Sequence, residues 1–134
     1  MGFSTYGSRV DLRGWGSSVT TTGYGNLYGT GHAQYTGSFN GTSSATPVVT
    51  SAVALVQSWV KTKLGRYFTS QELRSLLKST GHPQRADLST PIGPLPNIRA
   101  AIEKLASDNG VSVNINSGVS SSQTTSSSSF VEYL

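Results

Sequence analysis

The sequence predicts a mixed α/β fold followed by a polar tail, and three observations support this class. Short strand candidates separated by glycine occupy residues 3–40. Apolar residues with helical periodicity recur through much of residues 42–106. From about residue 107 the chain becomes rich in serine and threonine, a composition that cannot bury a core. We therefore expect a folded part over residues 1–106 and a Ser/Thr-rich linker or disordered tail over residues 107–134.

The glycine-rich region contains three strand candidates, at residues 9–12, 19–22 and 34–39. Glycines separate these candidates along the chain. Glycine adopts tight turns and lets two backbones approach closely, so we expect short strands joined by tight turns.

A long helix is predicted over about residues 42–63. Apolar residues recur there at the i, i+3, i+4, i+7 spacing of one helix face, namely at Val48, Val49, Ala52, Val53, Val56, Trp59 and Val60. They cover much of the circumference, as expected of a helix that packs against a sheet. The chain has too few strand candidates to build that sheet.

Two shorter helices are predicted after it. Thr69 and Glu72 have the spacing of a capping box, and Gly81 follows as a stop signal. Leu73, Leu76 and Leu77 share one face of this helix. A third helix is expected over about residues 97–106, with Ile98, Ala101, Ile102 and Leu105 facing inward.

Ser43 lies near the start of the long helix, in the run Gly41-Thr42-Ser43-Ser44-Ala45-Thr46-Pro47. The first N–H groups of a helix lack intrahelical acceptors, and the macrodipole adds about half a positive charge there. An oxyanion beside Ser43 would therefore be stabilised. We place Pro47 in the first turn, where its missing N–H costs nothing.

This run resembles the G-T-S-x-A-[ST]-P motif of subtilisin-like serine proteases, the subtilases of peptidase family S8. The third residue of that motif is the catalytic serine, so the resemblance implies that Ser43 is the nucleophile. The similarity extends over about residues 3–105, including residues 93–101, which resemble the segment closing the catalytic domain. The family most often carries methionine where this chain has Ser44, which we expect to alter packing and not chemistry.

The resemblance implies the C-terminal portion of a three-layer catalytic domain with a mostly parallel sheet. It also implies a serine endopeptidase that hydrolyses polypeptides through an acyl-enzyme at Ser43. A serine needs a histidine base oriented by a carboxylate. The family's D-[ST]-G and H-G-T contexts do not occur here. We expect both partners in a missing N-terminal half, together with the oxyanion-hole asparagine, so Asn40 is not given that role.

Three alternatives stay open. Asp11, His32 and Ser43 follow the family's chain order, but neither Asp11 nor His32 has the family's local pattern. We interpret Asp11 as a strand or turn residue, His32 as a loop residue and His82 as a surface turn residue. The chain could instead be a non-catalytic interaction module that uses its glycine-rich surface and serine-rich tail. A separate chain could also supply the aspartate and histidine.

The composition and charge of the chain limit the partners and locations that the sequence predicts. The ten Lys and Arg residues form no run, so the net charge of +4 does not predict nucleic-acid binding. No segment is apolar enough to span a membrane, and residues 1–4 lack signal-peptide features. Without cysteine or clustered ligands, we expect no metal and no cofactor. An extracellular location is inferred only from the resemblance.

Overall fold

The computed structural model describes residues 4–113 except 24, 26 and 86. Over these residues the mixed α/β class is confirmed. The elements are β1 (Val19–Thr22), β2 (Tyr35–Phe39), α1 (Thr42–Leu64), α2 (Ser70–Thr80) and α3 (Ile98–Asp108). The end of α3 lies two residues beyond the expected boundary at 106. Most of the predicted tail, residues 114–134, lies outside the described residues.

Strands β1 and β2 form an antiparallel pair. Val19 pairs with Phe39 and Thr22 pairs with Tyr35, with an irregularity in register between Val19 and Thr21. The strand predictions at 19–22 and 34–39 are confirmed to within one residue. The mostly parallel sheet is not formed by residues 4–113 as far as they are described, and it stays a prediction for a longer domain.

The predicted strand at residues 9–12 is wrong, because this segment has no strand beside it to pair with. Its first residue belongs to a turn at residues 8–9, and residues 10–12 have no regular secondary structure. Arg13 instead holds it against a loop. The Arg13 N–H donates to the carbonyl of Pro94 at 3.0 Å, and its guanidinium donates to the carbonyls of Gly93 and Pro83.

Helix α1 confirms the predicted long helix and ends one residue later than expected. Gly65 terminates it in the left-handed region at φ 70°, and its N–H donates to the carbonyl of Lys61. Only four residues of α1 are buried, namely Ser44, Ala52, Val56 and Val60. Val48 and Leu55 lie along the edge of this buried stripe, and they are 39% and 55% exposed. Part of the apolar surface of α1 is therefore packed, and an uncovered face remains at Val48 and Leu55.

Our placement of Pro47 in the first turn is wrong, since it lies inside α1, five residues after Thr42. In an α-helix the N–H of residue 47 would donate to the carbonyl of Ser43, and proline has no N–H. The backbone at Ser43 thus lacks one helical hydrogen bond on its carbonyl side.

The core lies where α1 meets α2 and α3. Its buried members are Val56, Val60, Leu73, Leu76, Leu77, Ala101 and Leu105. The inward faces predicted for α2 and α3 are confirmed at Leu77, Ala101 and Leu105, while Ile98 and Ile102 are half-buried. None of the described helices is both long and apolar enough to cross a lipid bilayer.

The capping box at the start of α2 is confirmed. The Thr69 side chain accepts from the N–H of Glu72, and the Glu72 carboxylate accepts from the N–H of Thr69 at 2.7 Å. That backbone donor, followed by Arg66, lowers the pKa of Glu72 to about 2. The box fixes the direction in which α2 leaves the loop after α1.

Candidate functional site

The exposed hydroxyl of Ser43 lies on the first turn of α1, as the sequence predicts. Among the described residues, its Oγ has no hydrogen-bond partner, so it is available to an external group. The N–H groups of Ser44 and Ala45 both donate to the carbonyl of Gly41, at 3.1 and 3.3 Å. The N–H of Ser43 has no such acceptor within the described chain. This is the unpaired donor that an oxyanion at a helix start requires.

Gly41 makes the bend that places Ser43 here. Its backbone lies at φ 110° and ψ −179°, a region that essentially only glycine occupies. Its N–H donates to the carbonyl of Gly16 at 2.8 Å. This conformation turns the chain from β2 into α1 within three residues, and so it projects Ser43 from a rigid corner.

The buried side chain of Ser44 also stabilises the bend at Gly41. It is 1% exposed, and its hydroxyl donates to the carbonyl of Gly41 at 2.8 Å. From the sequence we expect Ser44 to affect packing, and the structure adds this hydrogen bond. A polar residue where the related motif has methionine was the available signal, because a buried hydroxyl needs a partner.

The Asn40 side chain also forms structural hydrogen bonds near this bend. Its Oδ1 accepts from the N–H of Ser18 at 2.8 Å, and its Nδ2 donates to the carbonyl of Ser38. Ser18 has a positive φ of 51°, and this hydrogen bond holds it there. The amide therefore ties the end of β2 to the turn before β1. Its engagement agrees with withholding an oxyanion role from Asn40.

Two glycines let the segment before β1 approach the start of α1. A methyl group on Gly14 would lie 2.2 Å from the carbonyl oxygen of Ala45, and one on Gly16 would lie 2.7 Å from that of Gly41. Both obstacles are backbone atoms, which cannot rotate away. Residues 14–16 therefore form a close-packed support beneath the turn that carries Ser43.

We expect Gly14→Ala to lower the free energy of unfolding by about 1–3 kcal/mol, because the added methyl group must push two backbone segments apart. It should also shift the backbone NMR resonances of Ser43 and Ala45. The matched control is Gly37→Ala, whose methyl group would meet only the end of the Leu27 side chain, at 3.3 Å. Equal effects of both substitutions would contradict the proposed support.

Asp11 is committed to α2. Its carboxylate contacts Nζ of Lys78 at 2.7 Å and Nε of Arg74 at 3.3 Å. The hydrogen bond from Lys78 is the main cause that lowers the pKa of Asp11. Each carboxylate oxygen of Asp11 thus contacts a cation of α2, and among the described residues no histidine N–H donates to it.

The two histidines lie at exposed turns and bridges. His32 follows Gly31 in a turn closed by the Ala33 N–H, which donates to the carbonyl of Thr30. His82 forms an isolated antiparallel bridge with Leu95 through both backbone groups. The structure therefore holds Asp11 against α2 through Arg74 and Lys78, and both histidines lie outside the helices. The described part of the chain contains no group of three or more potential metal ligands.

Comparison with known proteins gives two matches. A family model described as the Subtilase family matches residues 1–112, which include the Gly41 to Pro47 motif. A protein named "Extracellular protease" from Xanthomonas campestris pv. campestris is 40% identical over 78 residues. That alignment covers 58% of this chain and 13% of the relative, so this chain spans a small part of the relative's length.

Proposed function

The chain belongs to the subtilase family, and from this premise we propose that it carries the nucleophile of a serine endopeptidase, Ser43. The observation that carries the proposal is the geometry of the G-T-S-x-A-[ST]-P motif. An exposed serine hydroxyl and an unpaired N–H lie together at the start of a long helix.

In the proposed reaction, Ser43 Oγ attacks the carbonyl carbon of the scissile peptide bond. A histidine accepts the hydroxyl proton, and the Ser43 N–H helps to stabilise the oxyanion. The histidine then protonates the leaving amine, and water hydrolyses the acyl-enzyme at Ser43. We place the histidine, its aspartate and the oxyanion-hole asparagine upstream of this segment, since Asp11 is held by α2 and Asn40 by Ser18 and Ser38.

The uncovered face of α1 supports the proposal that a further part of the catalytic domain packs here. Val48 and Leu55 lie seven residues apart, which is two helical turns, so they share one face of α1, and both are exposed. A parallel sheet contributed by the N-terminal half would cover this face and complete a three-layer domain. The partner of this chain would then be that half, and its substrate a polypeptide.

The printed name of the Xanthomonas relative supports an extracellular location for the complete enzyme. Residues 37–40 lie shortly before Ser43 in the chain and are our candidates for one wall of the substrate cleft. Three of these four residues, Ser38, Phe39 and Asn40, are exposed.

Labelling of the purified 134-residue chain with a fluorophosphonate probe tests where the base lies. Such a probe modifies an activated serine. We expect no labelling and negligible casein cleavage from the folded chain, because its hydroxyl has no base. A complete subtilase is the positive control, and Ser43→Ala is the negative control.

Labelling that disappears in Ser43→Ala would contradict the upstream base and return His32 and Asp11 to the candidate triad. Labelling that persists in Ser43→Ala would contradict the assignment of the nucleophile. Circular dichroism at the labelling temperature establishes that the chain is folded in each case.

A further inference from the structure

A concave site that does not include Ser43 lies against α2. It is an open cleft of about 440 Å³ between the segment at residues 8–11 and one face of α2. Its lining residues are Ser8, Arg9, Asp11, Gln71, Arg74, Ser75, Lys78 and Ser79. Every one of them is a polar or charged residue.

The cleft carries surplus positive charge. Three cationic side chains, of Arg9, Arg74 and Lys78, surround the single carboxylate of Asp11, which leaves a local charge of +2. The pKa of Asp11 is lowered, chiefly by its hydrogen bond from Lys78, so the carboxylate is ionised at neutral pH. Lys78 and Arg74 each contact one oxygen of Asp11, so two cations already surround this carboxylate.

Several donors around Asp11 remain unused. Within the described residues, the guanidinium of Arg9 forms no ion pair. Arg74 reaches Asp11 through Nε, which leaves its terminal Nη groups, and Lys78 uses one of its three N–H groups. Ser8, on the segment before Asp11, and Ser75, on α2, also line the cleft. Charged donors of this kind form their strongest hydrogen bonds with carboxylate or phosphate oxygens.

We propose that this cleft binds an acidic peptide segment, with glutamate or aspartate carboxylates placed against Arg9, Arg74 and Lys78. A volume of about 440 Å³ lies within the range of ligand sites and is several times larger than one oxyanion needs. A peptide carrying neighbouring carboxylates would fill the cleft and neutralise more than one of its cations. The proposal does not depend on Ser43, which lies on α1.

Fluorescence anisotropy of labelled hexaglutamate, titrated with the full 134-residue chain at low salt, tests the proposal. Arg9→Gln should weaken binding about threefold, the size of one exposed charge pair, and it breaks no internal ion pair. Asp11→Asn removes the competing internal carboxylate and should tighten binding by a similar factor, about threefold. Arg99→Gln on α3 changes the net charge as Arg9→Gln does and should leave the affinity unchanged.

Three results would overturn the proposal. Hexaglutamine could bind as tightly as hexaglutamate, Arg99→Gln could weaken binding as much as Arg9→Gln, or hexaglutamate could fail to bind. A competition experiment distinguishes a site for peptide carboxylates from a site for free anions. Inorganic phosphate at matched ionic strength should displace the peptide poorly, and displacement as effective as by unlabelled hexaglutamate would assign the cleft to free anions. If Asp11→Asn does not fold, comparison of Arg9→Gln with Arg99→Gln still tests the proposed binding site.

Discussion

Replacing Ser43 by alanine is expected to lower kcat by about 10⁶-fold in an enzyme that supplies the missing base, because losing the serine nucleophile in this family removes the acyl-enzyme route. Binding and oxyanion stabilisation alone would remain. A suitable host is a chimera in which the matched segment of this chain replaces its counterpart in the Xanthomonas protease. The measurement is peptide hydrolysis under saturating substrate.

The control substitution is Ser51→Ala, a second exposed serine on α1, whose hydroxyl donates to the carbonyl of Pro47. It removes the same atom from the same helix, two turns from the nucleophile, and should leave kcat near that of the parent chimera. A Ser43→Ala chimera that keeps its activity would exclude Ser43 as the nucleophile, and an equal loss in Ser51→Ala would point to damage to α1.

Leu77→Ala is expected to lower the free energy of unfolding of the isolated chain by about 2–5 kcal/mol, as large-to-small substitutions in a core do. Leu77 is fully buried at the centre of the contact between α1, α2 and α3. A loss of this size is a large part of the total stability of a small domain. Urea denaturation followed by circular dichroism measures it.

The matched control is Leu55→Ala, which removes the same atoms from a side chain that is 55% exposed on α1. In the isolated chain it should change stability by no more than about 0.5 kcal/mol. In the chimera the same substitution should become costly if the uncovered face of α1 meets a sheet there. A Leu55 variant that is equally harmless in both settings would contradict the proposed packing of the N-terminal half.

The helices could be predicted from the sequence because their signals are local. The apolar period fixes α1, and the capping box from Thr69 to Glu72 fixes the start of α2. The strand candidate at residues 9–12 failed because a strand needs a neighbour, and Arg13 joins this segment to a loop some 80 residues away. Periodicity within one segment carries no information about such a contact.

In the candidate site, too, the features set by local sequence could be predicted and those set by tertiary contacts could not. The position of Ser43 at a helix start follows from its own neighbours in sequence. The support from Gly14, the hydrogen bond from Ser44 to Gly41 and the engagement of Asn40 depend on which backbones meet in the fold. Pro47 was misplaced although the start of α1 was predicted correctly, because the sixth residue of a helix already lies beyond the first turn, where a missing N–H costs a hydrogen bond.

The backbone conformation of Gly41 distinguishes selection for the fold from selection for catalysis in this motif. Its dihedral angles exclude any side chain whether or not the next turn does chemistry. If Ser43 is the nucleophile, as proposed, a descendant without hydrolytic activity would be free to exchange it, while selection for folding alone would still retain Gly41. Among divergent copies of this gene, Gly41 therefore reports an intact corner of the fold, and under the proposed function Ser43 reports a working enzyme.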